Sequence, residues 1–502
     1  MLLKVEKEKT DIERESVRLF IKKMRFALLI VIMLFLKINL LAQKANVWYF
    51  GNQIGIDFNF NPATILTNGK ITIDSSAIST DLEPSSTISD ESGNLLFYTN
   101  GIQVWNRLHH VMPNGKNLFG NTTTTQTLIV QKPGSKTNYF IFTCSPQGNA
   151  DFFPVSQKGF WYSLVDISLD GGRGDVVEKN ILLVPSTTEK IAATYHANGS
   201  DIWVIMHEWN NNVFNAFLIN ETGITKQVRS ESGNWHESDK IGNREFNAIG
   251  QMKFSPNGEK LALAVYNNHL AEIFDFDPST GKITLDESIK QFDGNVYGIE
   301  FSPSGKLLYV TDGGRYVYQY DLESYPIKDS QIILENVPEF WDNPSQLQLA
   351  PDGKIYVAKR DNYFLGIINK PNERGENCEY VNRGMMLPVG KNFCGAGLPN
   401  FLSSYFYDPE LYPPRPYFEM PNVFTPNEDG FNDRFGPIKK FNIKSWQLVV
   451  FNRWGQAVYQ TSDPNGSWEG IDFSPGIYYW QAHYEGVNGK EFIEKGTVQL
   501  IR

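Results

Sequence analysis

The stretch Met252-Lys-Phe-Ser-Pro-Asn-Gly-Glu-Lys-Leu-Ala-Leu-Ala decides the fold of this chain, because two close copies follow it. The copies are Ile299-Glu-Phe-Ser-Pro-Ser-Gly-Lys-Leu-Leu-Tyr-Val-Thr and Leu347-Gln-Leu-Ala-Pro-Asp-Gly-Lys-Ile-Tyr-Val-Ala. In each of them, two apolar runs flank a turn in which proline restricts φ and glycine tolerates a positive φ. Each copy therefore predicts a strand, a tight turn and a second strand.

Weaker copies of the same unit come earlier, at Ile88–Tyr98, Lys132–Phe142 and Tyr195–Ile205. The turn glycines of the six copies are Gly93, Gly134, Gly199, Gly258, Gly305 and Gly353. A β-rich unit that recurs about every 40 to 50 residues is typical of a β-propeller, whose blades bury their faces by stacking in a ring. We predict seven blades over residues 43–408, with six or eight as alternatives. We expect Val47–Phe50 to pair with the last blade, because an open ring would expose its edge strands.

The composition is that of a globular protein with a large core. Hydrophobic residues make up 41% of the 502 residues and aromatic residues 14%, whereas disordered chains are poor in both. The formal net charge is −10, and Lys and Arg form no stripe along the sequence. Because phosphate binding needs clustered basic side chains, we expect no nucleic-acid partner.

The N-terminal segment 1–42 has the pattern of a secretory signal peptide. Its apolar run Phe26–Leu36 follows Lys22, Lys23 and Arg25, and Ala42 is a small residue at the expected cleavage point. A membrane anchor is the alternative, although a bilayer-spanning helix needs about 20 apolar residues. The basic and acidic residues upstream leave either Met1 or Met24 as the start of translation.

A proline-rich stretch, residues 409–416, is expected to be an extended linker between two domains. Beyond it, residues 417–502 alternate apolar and polar side chains, as in Trp446-Gln-Leu-Val-Val-Phe-Asn and Gly476-Ile-Tyr-Tyr-Trp-Gln-Ala. This pattern predicts a small immunoglobulin-like β-sandwich, so the whole chain is expected to be all-β.

The C-terminal stretches Pro421-Asn-Val-Phe-Thr-Pro-Asn-Glu-Asp-Gly-Phe-Asn-Asp-Arg-Phe and Val450-Phe-Asn-Arg-Trp-Gly-Gln-Ala-Val-Tyr carry a resemblance to a known family. They closely resemble the type B C-terminal sorting domain of the type IX secretion system, also called the gliding-motility-associated C-terminal domain. The matching motif residues are Thr425, Pro426, Asn427, Asp429, Gly430, Asn432, Asp433, Arg453, Trp454 and Gly455. The sequence departs from the family at Glu428, where glycine is usual.

This resemblance implies two successive export steps. Sec-dependent transfer to the periplasm would be followed by recognition by the type IX translocon and by a partner outer-membrane protein. The protein would then be secreted or held on the outer cell surface.

The region before the linker resembles the propeller commonly carried by such cargo. The shared motifs are Asn46-Val-Trp-Tyr-Phe-Gly, Asn100-Gly-Ile-Gln-Val-Trp-Asn-Arg, Val111-Met-Pro-Asn-Gly and Gly397-Leu-Pro-Asn-Phe. Leu308-Tyr-Val-Thr-Asp-Gly-Gly resembles WD40-like and lactonase-like propeller units, whereas Leu82-Glu-Pro departs from the usual pattern. Such a resemblance concerns the fold, and a fold does not determine a function.

Motifs for catalysis are missing from the sequence. It contains neither a Gly-x-Ser-x-Gly elbow nor a close histidine pattern for zinc, so we predict no catalytic residue, metal or cofactor. His207-Glu208-Trp209 is interpreted as structural, with a place in the central channel as the alternative. The acidic loop Asn427–Asp433 is interpreted as a turn held by its own side chains, with a calcium loop as the alternative.

The cysteines and tryptophans also have two interpretations each. Cys378 and Cys394 could form a disulfide in an oxidising compartment or remain free, whereas Cys144 is expected to be a buried thiol. The tryptophans are expected to pack between blades, with sugar-stacking platforms as the alternative. They include Trp161, Trp203, Trp209, Trp235 and Trp341.

A predicted propeller without a recognisable set of catalytic residues favours a binding function. The leading hypothesis is a surface or secreted adhesion module whose propeller loops bind a glycan, a protein or a matrix component. The alternatives are a carbohydrate-active enzyme or lactonase with acidic residues at the central channel, and a component of the gliding or adhesion apparatus.

Overall fold

A computed structural model of the chain describes residues 42–72, 85–121, 126–146, 158–238, 245–336, 342–390, 393–409, 411–412, 416–487 and 489–502. The expected signal peptide, apart from Ala42, lies outside these residues, as do Leu82-Glu-Pro and Trp341. Part of the expected linker lies outside them too, so the domain boundary there stays a prediction. Helices in the described segments are short turns, and none has the length and hydropathy of a bilayer-spanning segment.

Seven antiparallel sheets follow one another between residues 47 and 386 of the described chain. We number these sheets as blades 1 to 7. Blade 1 contains β1 (Val47–Phe50), β2 (Ile54–Asp57) and β3 (Thr64–Leu66), and blade 2 contains β4 (Ser86–Ser89), β5 (Leu95–Thr99) and β6 (Val104–Asn106). Blade 3 contains β7 (Thr127–Gln131), β8 (Asn138–Cys144), β9 (Phe160–Asp166) and β10 (Asp175–Val184). Blade 4 contains β11 (Ile191–Tyr195), β12 (Ile202–His207), β13 (Asn211–Asn220) and β14 (Gly223–His236).

The remaining blades are four-stranded as well. Blade 5 contains β15 (Met252–Phe254), β16 (Lys260–Val265), β17 (Leu270–Asp277) and β18 (Lys282–Ile289). Blade 6 contains β19 (Ile299–Phe301), β20 (Leu307–Thr311), β21 (Tyr316–Asp321) and β22 (Ile332–Asn336), and blade 7 contains β23 (Pro344–Leu349), β24 (Ile355–Lys359), β25 (Phe364–Ile368) and β26 (Tyr380–Met386). The helical turns are Gln43–Ala45, Leu169–Gly172, Phe246–Ala248, Ile327–Ser330, Gly375–Cys378 and Ser403–Phe406.

The first strands of the blades surround a common axis. From β4 to β7, β11, β15, β19 and β23, each first strand contacts the first strand of the next blade. Within each blade the strands pair in sequence order. This arrangement is a β-propeller, and the predicted fold class and the number of seven blades are confirmed.

The repeated turns require glycine. All six predicted turn glycines have positive φ, for example +72° at Gly258 and +60° at Gly305. A Cβ at Gly258 would lie 2.2 Å from Oγ1 of Thr194, and one at Gly305 would lie 2.0 Å from the Tyr412 hydroxyl. The repeat is therefore kept by backbone conformation and by close approach of neighbouring segments.

The ring closes differently from the expectation. Val47–Phe50 pairs with Ile54–Asp57 in a blade of its own and not with a strand of blade 7. Trp48 packs on Tyr356 of blade 7, with ring centroids 5.6 Å apart. After blade 7 the chain returns to blade 1, where the backbone N–H of Asn52 donates to the Phe393 carbonyl over 3.0 Å. This returning segment, residues 393–401, joins the two ends of the ring through isolated bridges at Cys394 and Pro399.

Aromatic side chains fill the space between blades. Trp203 of blade 4 is fully buried, its Nε1 donates to the Pro278 carbonyl over 2.8 Å, and its ring meets Phe276 of blade 5. Packing between blades is confirmed for Trp203. Trp161 and Trp209 are buried as well. Trp235 differs, since 57% of it is exposed.

Side chains from the first strands join neighbouring blades near the axis. Oε1 of Gln251 accepts the backbone N–H groups of Ile299 in blade 6 and Leu347 in blade 7, at 3.1 and 2.9 Å. Gln126 does the same for Ile191 in blade 4 and Met252 in blade 5, at 3.3 and 2.9 Å. Buried N–H groups that no adjacent strand can reach are thus satisfied.

The returning segment also fills the axis. The Asn400 amide group donates to the Ile191 carbonyl and accepts from Lys253 Nζ at 3.1 Å. The Ser404 hydroxyl lies 2.8 Å from Oγ1 of Thr194, at the end of the first strand of blade 4. The ring is therefore closed at the end where the first strands finish.

A second β domain follows the propeller. Its main sheet has five strands in the order β28 (Val423–Phe424), β33 (Glu491–Leu500), β32 (Gly476–Gly486), β30 (Ile443–Phe451) and β31 (Ala457–Thr461). Strands β27 (Tyr417–Glu419) and β29 (Lys439–Phe441) form a separate pair. One face of the main sheet packs on a core of Phe418, Phe424, Phe435, Trp446, Trp468 and neighbouring apolar side chains.

A pair of histidines is buried between blades 4 and 5. The rings of His207 and His236 stack with centroids 3.8 Å apart, and both residues are almost fully buried. Glu272 of blade 5 lies 3.7 Å from His236, and Lys190 is a further titratable group close to both rings. Burial is the main reason why the pKa of both histidines lies well below the usual value. Electrostatic repulsion lowers the pKa further, by His236 and Lys190 at His207 and by Lys190 at His236. Both rings are therefore neutral in the folded protein near pH 7.

We expect Gln251→Leu to lower the free energy of unfolding by about 2 to 4 kcal/mol, because two buried N–H groups lose their acceptor. Chemical denaturation of the purified protein measures this change. The control is Gln460→Leu, at an exposed position of the C-terminal domain. Equal stability of the two variants would contradict the joining role of Gln251.

We expect the free energy of unfolding to fall as the pH drops below about 6.5, because the unfolded chain then binds protons that the buried rings do not. The fall approaches about 1.4 kcal/mol per pH unit for each histidine. Denaturation at several pH values measures the slope, which His236→Gln should reduce. The control is His483→Gln, at a partly exposed histidine of the C-terminal domain. An unchanged slope in His236→Gln would contradict the neutral pair.

Candidate functional site

The open end of the propeller axis carries a pocket, which we call the axial mouth. In an antiparallel blade, the start of the first strand and the end of the second strand lie at the same end. Ile249 and Tyr297 precede β15 and β19, whereas Tyr266 and Gly313 follow β16 and β20. Loops that are far apart in sequence therefore meet around the axis at this end.

The axial mouth has a volume of about 220 Å³. Its lining residues are Phe246, Ile249, Tyr266, Tyr297, Gly313, Ser345, Arg360 and Ala396. The Tyr266 ring meets Tyr297 and Phe246 edge to face, with centroids 6.0 and 6.3 Å apart. The Arg360 side chain is 43% exposed, and its Nε lies 4.0 Å from a carboxylate oxygen of Asp361. The mouth thus combines aromatic walls with one accessible cation.

Below the mouth, the polar side chains near the axis are already engaged. Lys190 is fully buried, and its Nζ donates to the carbonyls of Ala248 and Ile249 at 2.7 and 3.0 Å. Glu300 is buried, and its two carboxylate oxygens accept the Phe301 and Leu349 amides. The Glu300 carboxylate is therefore held by backbone N–H groups.

His207-Glu208-Trp209 does not reach the axial mouth. His207 is buried in its pair with His236, and the Glu208 carboxylate accepts from Asn215 at 2.8 Å and from Arg229 at 3.1 Å. The structural interpretation of this motif is confirmed. Sequence reasoning missed the mouth residues instead, although Tyr266 and Gly313 stand at the same distance after the turn glycines Gly258 and Gly305.

The acidic motif loop of the C-terminal domain is organised by Asp433. Its carboxylate accepts the backbone N–H groups of Asn427, Glu428 and Gly430 at 3.1, 2.8 and 2.8 Å. Burial alone would raise the pKa of Asp433, but the N–H groups of Gly430, Asn427 and Glu428 outweigh it and lower the pKa. The interpretation as a turn held by its own side chains is confirmed. Within the described residues no group of three or more His, Cys, Asp or Glu is arranged to hold a metal ion.

The second motif, Arg453-Trp454-Gly455, forms the turn between β30 and β31. The Asn452 side chain accepts the Trp454 amide at 3.1 Å, and Gly455 has a φ of +79°. Trp454 is 75% exposed, and the Arg453 guanidinium lies over its ring at 4.3 Å. Gly455 and Asn452 therefore shape the turn, whereas Arg453 and Trp454 present their side chains to solvent.

Strand register brings both motifs to one end of the main sheet. Phe424, just before the acidic loop, pairs with Leu500, and Phe451, just before the second turn, pairs with Tyr479. Ile477 pairs with Gln499 in the same region of the sheet. Motif residues about 25 positions apart in sequence thus share one end of the domain.

The cysteines are all free thiols, and all three are buried. Of the two interpretations of Cys378 and Cys394, a disulfide or free thiols, the structure has the free thiols. The thiol of Cys394 donates to the Gly395 carbonyl at 3.1 Å, whereas Cys378 ends a helical turn that contacts blade 6 near Tyr309. The expectation of a buried thiol at Cys144 is confirmed, and burial raises its pKa to about 12.

Comparison with known proteins identifies the C-terminal domain. Residues 418–500 match the family described as the CHU_C Type IX secretion signal domain. None of the curated proteins matches the chain.

Two solved structures are similar to this chain at low sequence identity. A "putative 6-phosphogluconolactonase" from Bacteroides fragilis is 12% identical with a TM-score of 0.43, covering 71% of this chain and 98% of its own. The Cps50 β-propeller domain from Myceliophteria thermophila is 12% identical with a TM-score of 0.35, covering 63% of this chain and 94% of its own. Because these TM-scores are low, the propeller assignment rests on the sheet order above. The chain is a β-propeller protein with a CHU_C type IX secretion signal domain at residues 418–500, and this signal marks it for export to the cell surface or the medium.

Proposed function

We propose that the propeller is an extracellular binding module whose axial mouth takes a glycan. The observation that carries this proposal is the aromatic-walled pocket at the open end of an otherwise closed ring. Binding pockets are typically concave and largely apolar, with a few polar groups that fix the orientation of the ligand. An exported module with such a pocket suits adhesion at the cell surface.

The size and chemistry of the mouth favour a single sugar ring. A volume of about 220 Å³ admits one sugar ring and excludes a folded protein segment. The apolar C–H face of a sugar would pack on Tyr266, whose ring lies between Phe246 and Tyr297. Arg360 at the edge would form a charge-assisted hydrogen bond with a carboxylate, so the preferred ligand is a glycan with an acidic sugar.

The specific partner in export is also part of this proposal. The signal domain directs the chain to the type IX machinery, and we propose that a partner outer-membrane protein reads it there. After export the propeller would stay on the outer surface or be released. A role in the gliding or adhesion apparatus would follow if the bound glycan belongs to the cell's own surface.

We expect Tyr266→Ala to weaken binding of an acidic oligosaccharide by about tenfold or more, because central aromatic contacts dominate binding energy. Calorimetry with oligouronates and with neutral oligosaccharides of equal length measures this effect. Arg360→Ala should remove the preference for the acidic ligand. The control is Tyr325→Ala, which is 85% exposed and lies outside the mouth. Wild-type protein that binds neither ligand, or variants that bind equally well, would refute the proposed site.

We expect deletion of residues 417–502 to leave the propeller in the periplasm, because the signal domain at 418–500 is then missing. Fractionation into periplasm, outer membrane and medium, followed by immunoblotting, measures the distribution. Protease resistance of the periplasmic product checks that the propeller has folded. Normal arrival of the truncated chain at the surface would rule out the signal as the export determinant.

A further inference from the structure

The signal domain exposes a cluster of large apolar side chains at the end of the sheet where its motifs lie. We call Trp454, Ile477 and Tyr479, together with the partly buried Phe451 beside them, the outer patch. We propose that the outer patch is the surface by which the receptor protein of the type IX machinery binds the folded domain. This inference rests on the export function given above.

The outer patch is contiguous across neighbouring strands. Phe451 of β30 lies directly opposite Tyr479 of β32, and Ile477 lies two residues before Tyr479 on the same face of β32. The turn with Trp454 begins directly after Phe451. Ile477, Tyr479 and Trp454 are 58%, 50% and 75% exposed in the presence of the propeller. The surface is therefore accessible in the full-length chain.

The fold of the domain does not need these side chains. Alternate residues Tyr478, Ala482 and Tyr484 of β32 face the core on the other side of the sheet. Side chains that alternate away from a core are normally polar in an antiparallel sheet. Contiguous exposed apolar side chains instead indicate an interaction surface, and aromatic residues are enriched at such surfaces.

The occupant is a protein because the domain is a secretion signal, which acts only when the machinery reads it. The charged member of the patch region is Arg453, whose guanidinium stacks on Trp454 at 4.3 Å. Tryptophan, tyrosine and arginine are the residues that most often dominate protein interfaces. The complementary receptor surface is therefore apolar, with a carboxylate placed opposite Arg453.

The test uses the full chain with Ile477→Ser and Tyr479→Ser together, and separately with Trp454→Ala. We expect the surface or secreted fraction to fall about tenfold or more, with protein accumulating in the periplasm, because loss of central interface residues costs at least that much affinity. Melting temperatures of the purified proteins should match that of the wild type. Trp454→Ala guards against misfolding, since Trp454 lies in an exposed turn.

The matched control is Ile493→Ser, which is 57% exposed on the same sheet. Ile493 pairs with His483, four residue pairs along the ladder from Tyr479, and its variant should be exported normally. Normal export of the patch variants would overturn the inference, as would equal loss of export in the Ile493 control. If the chain lacking residues 417–502 also reached the surface, the proposed export route itself would fail.

Discussion

The propeller depends on satisfying backbone N–H groups at the inner edges of its blades. A first strand has a pairing partner on its outer side and none on its inner side, and the inner groups are too deeply buried to reach water. Gln126 and Gln251 supply acceptors that each serve the next two blades. Ser86 and Glu300 act in the same way, because they accept the backbone N–H groups of Ile129 and Leu349 in the neighbouring inner strands. Because each acceptor serves other blades, the blades are stable together and not singly.

The sequence predicted the parts of this fold that are local. Gly258 and Gly305 mark turns whose φ values only glycine adopts easily. Such turns can be predicted from a few neighbouring residues. The acceptor role of Gln251 cannot be predicted from the sequence, because a glutamine just before a strand has no special meaning until the strands around the axis are known. The axial mouth was missed for the same reason, since Tyr266 and Arg360 come from different blades. The spacing of Cys378 and Cys394 left open whether they pair, and the structure has both as free thiols.

The motif residues of the signal domain are of two kinds: some hold the conformation of a turn, and others project from the turn into solvent. Gly430 has a φ of +86° and Asp433 collects backbone N–H groups, so both serve the conformation of the acidic loop. Glu428 has a φ of +63°, which explains why the family usually has glycine at this position. Trp454 has no comparable structural duty, and its exposure is the reason to look for a partner. A motif therefore contains both residues that fix the backbone and residues that are available to a partner, and the structure is needed to tell them apart.

Closure by residues 393–401 sets the order of events during synthesis and transfer. The hydrogen bond between Ser86 and Asn400 joins residues 314 positions apart. The inner edge of blade 2 is therefore complete only after almost the entire propeller has been synthesised. Contacts this distant in sequence slow folding and leave partly built rings with open edges. The signal domain lies after the closing segment in the sequence, so it is synthesised after that segment. A receptor that engages it accordingly meets a chain that already has everything needed to complete its ring.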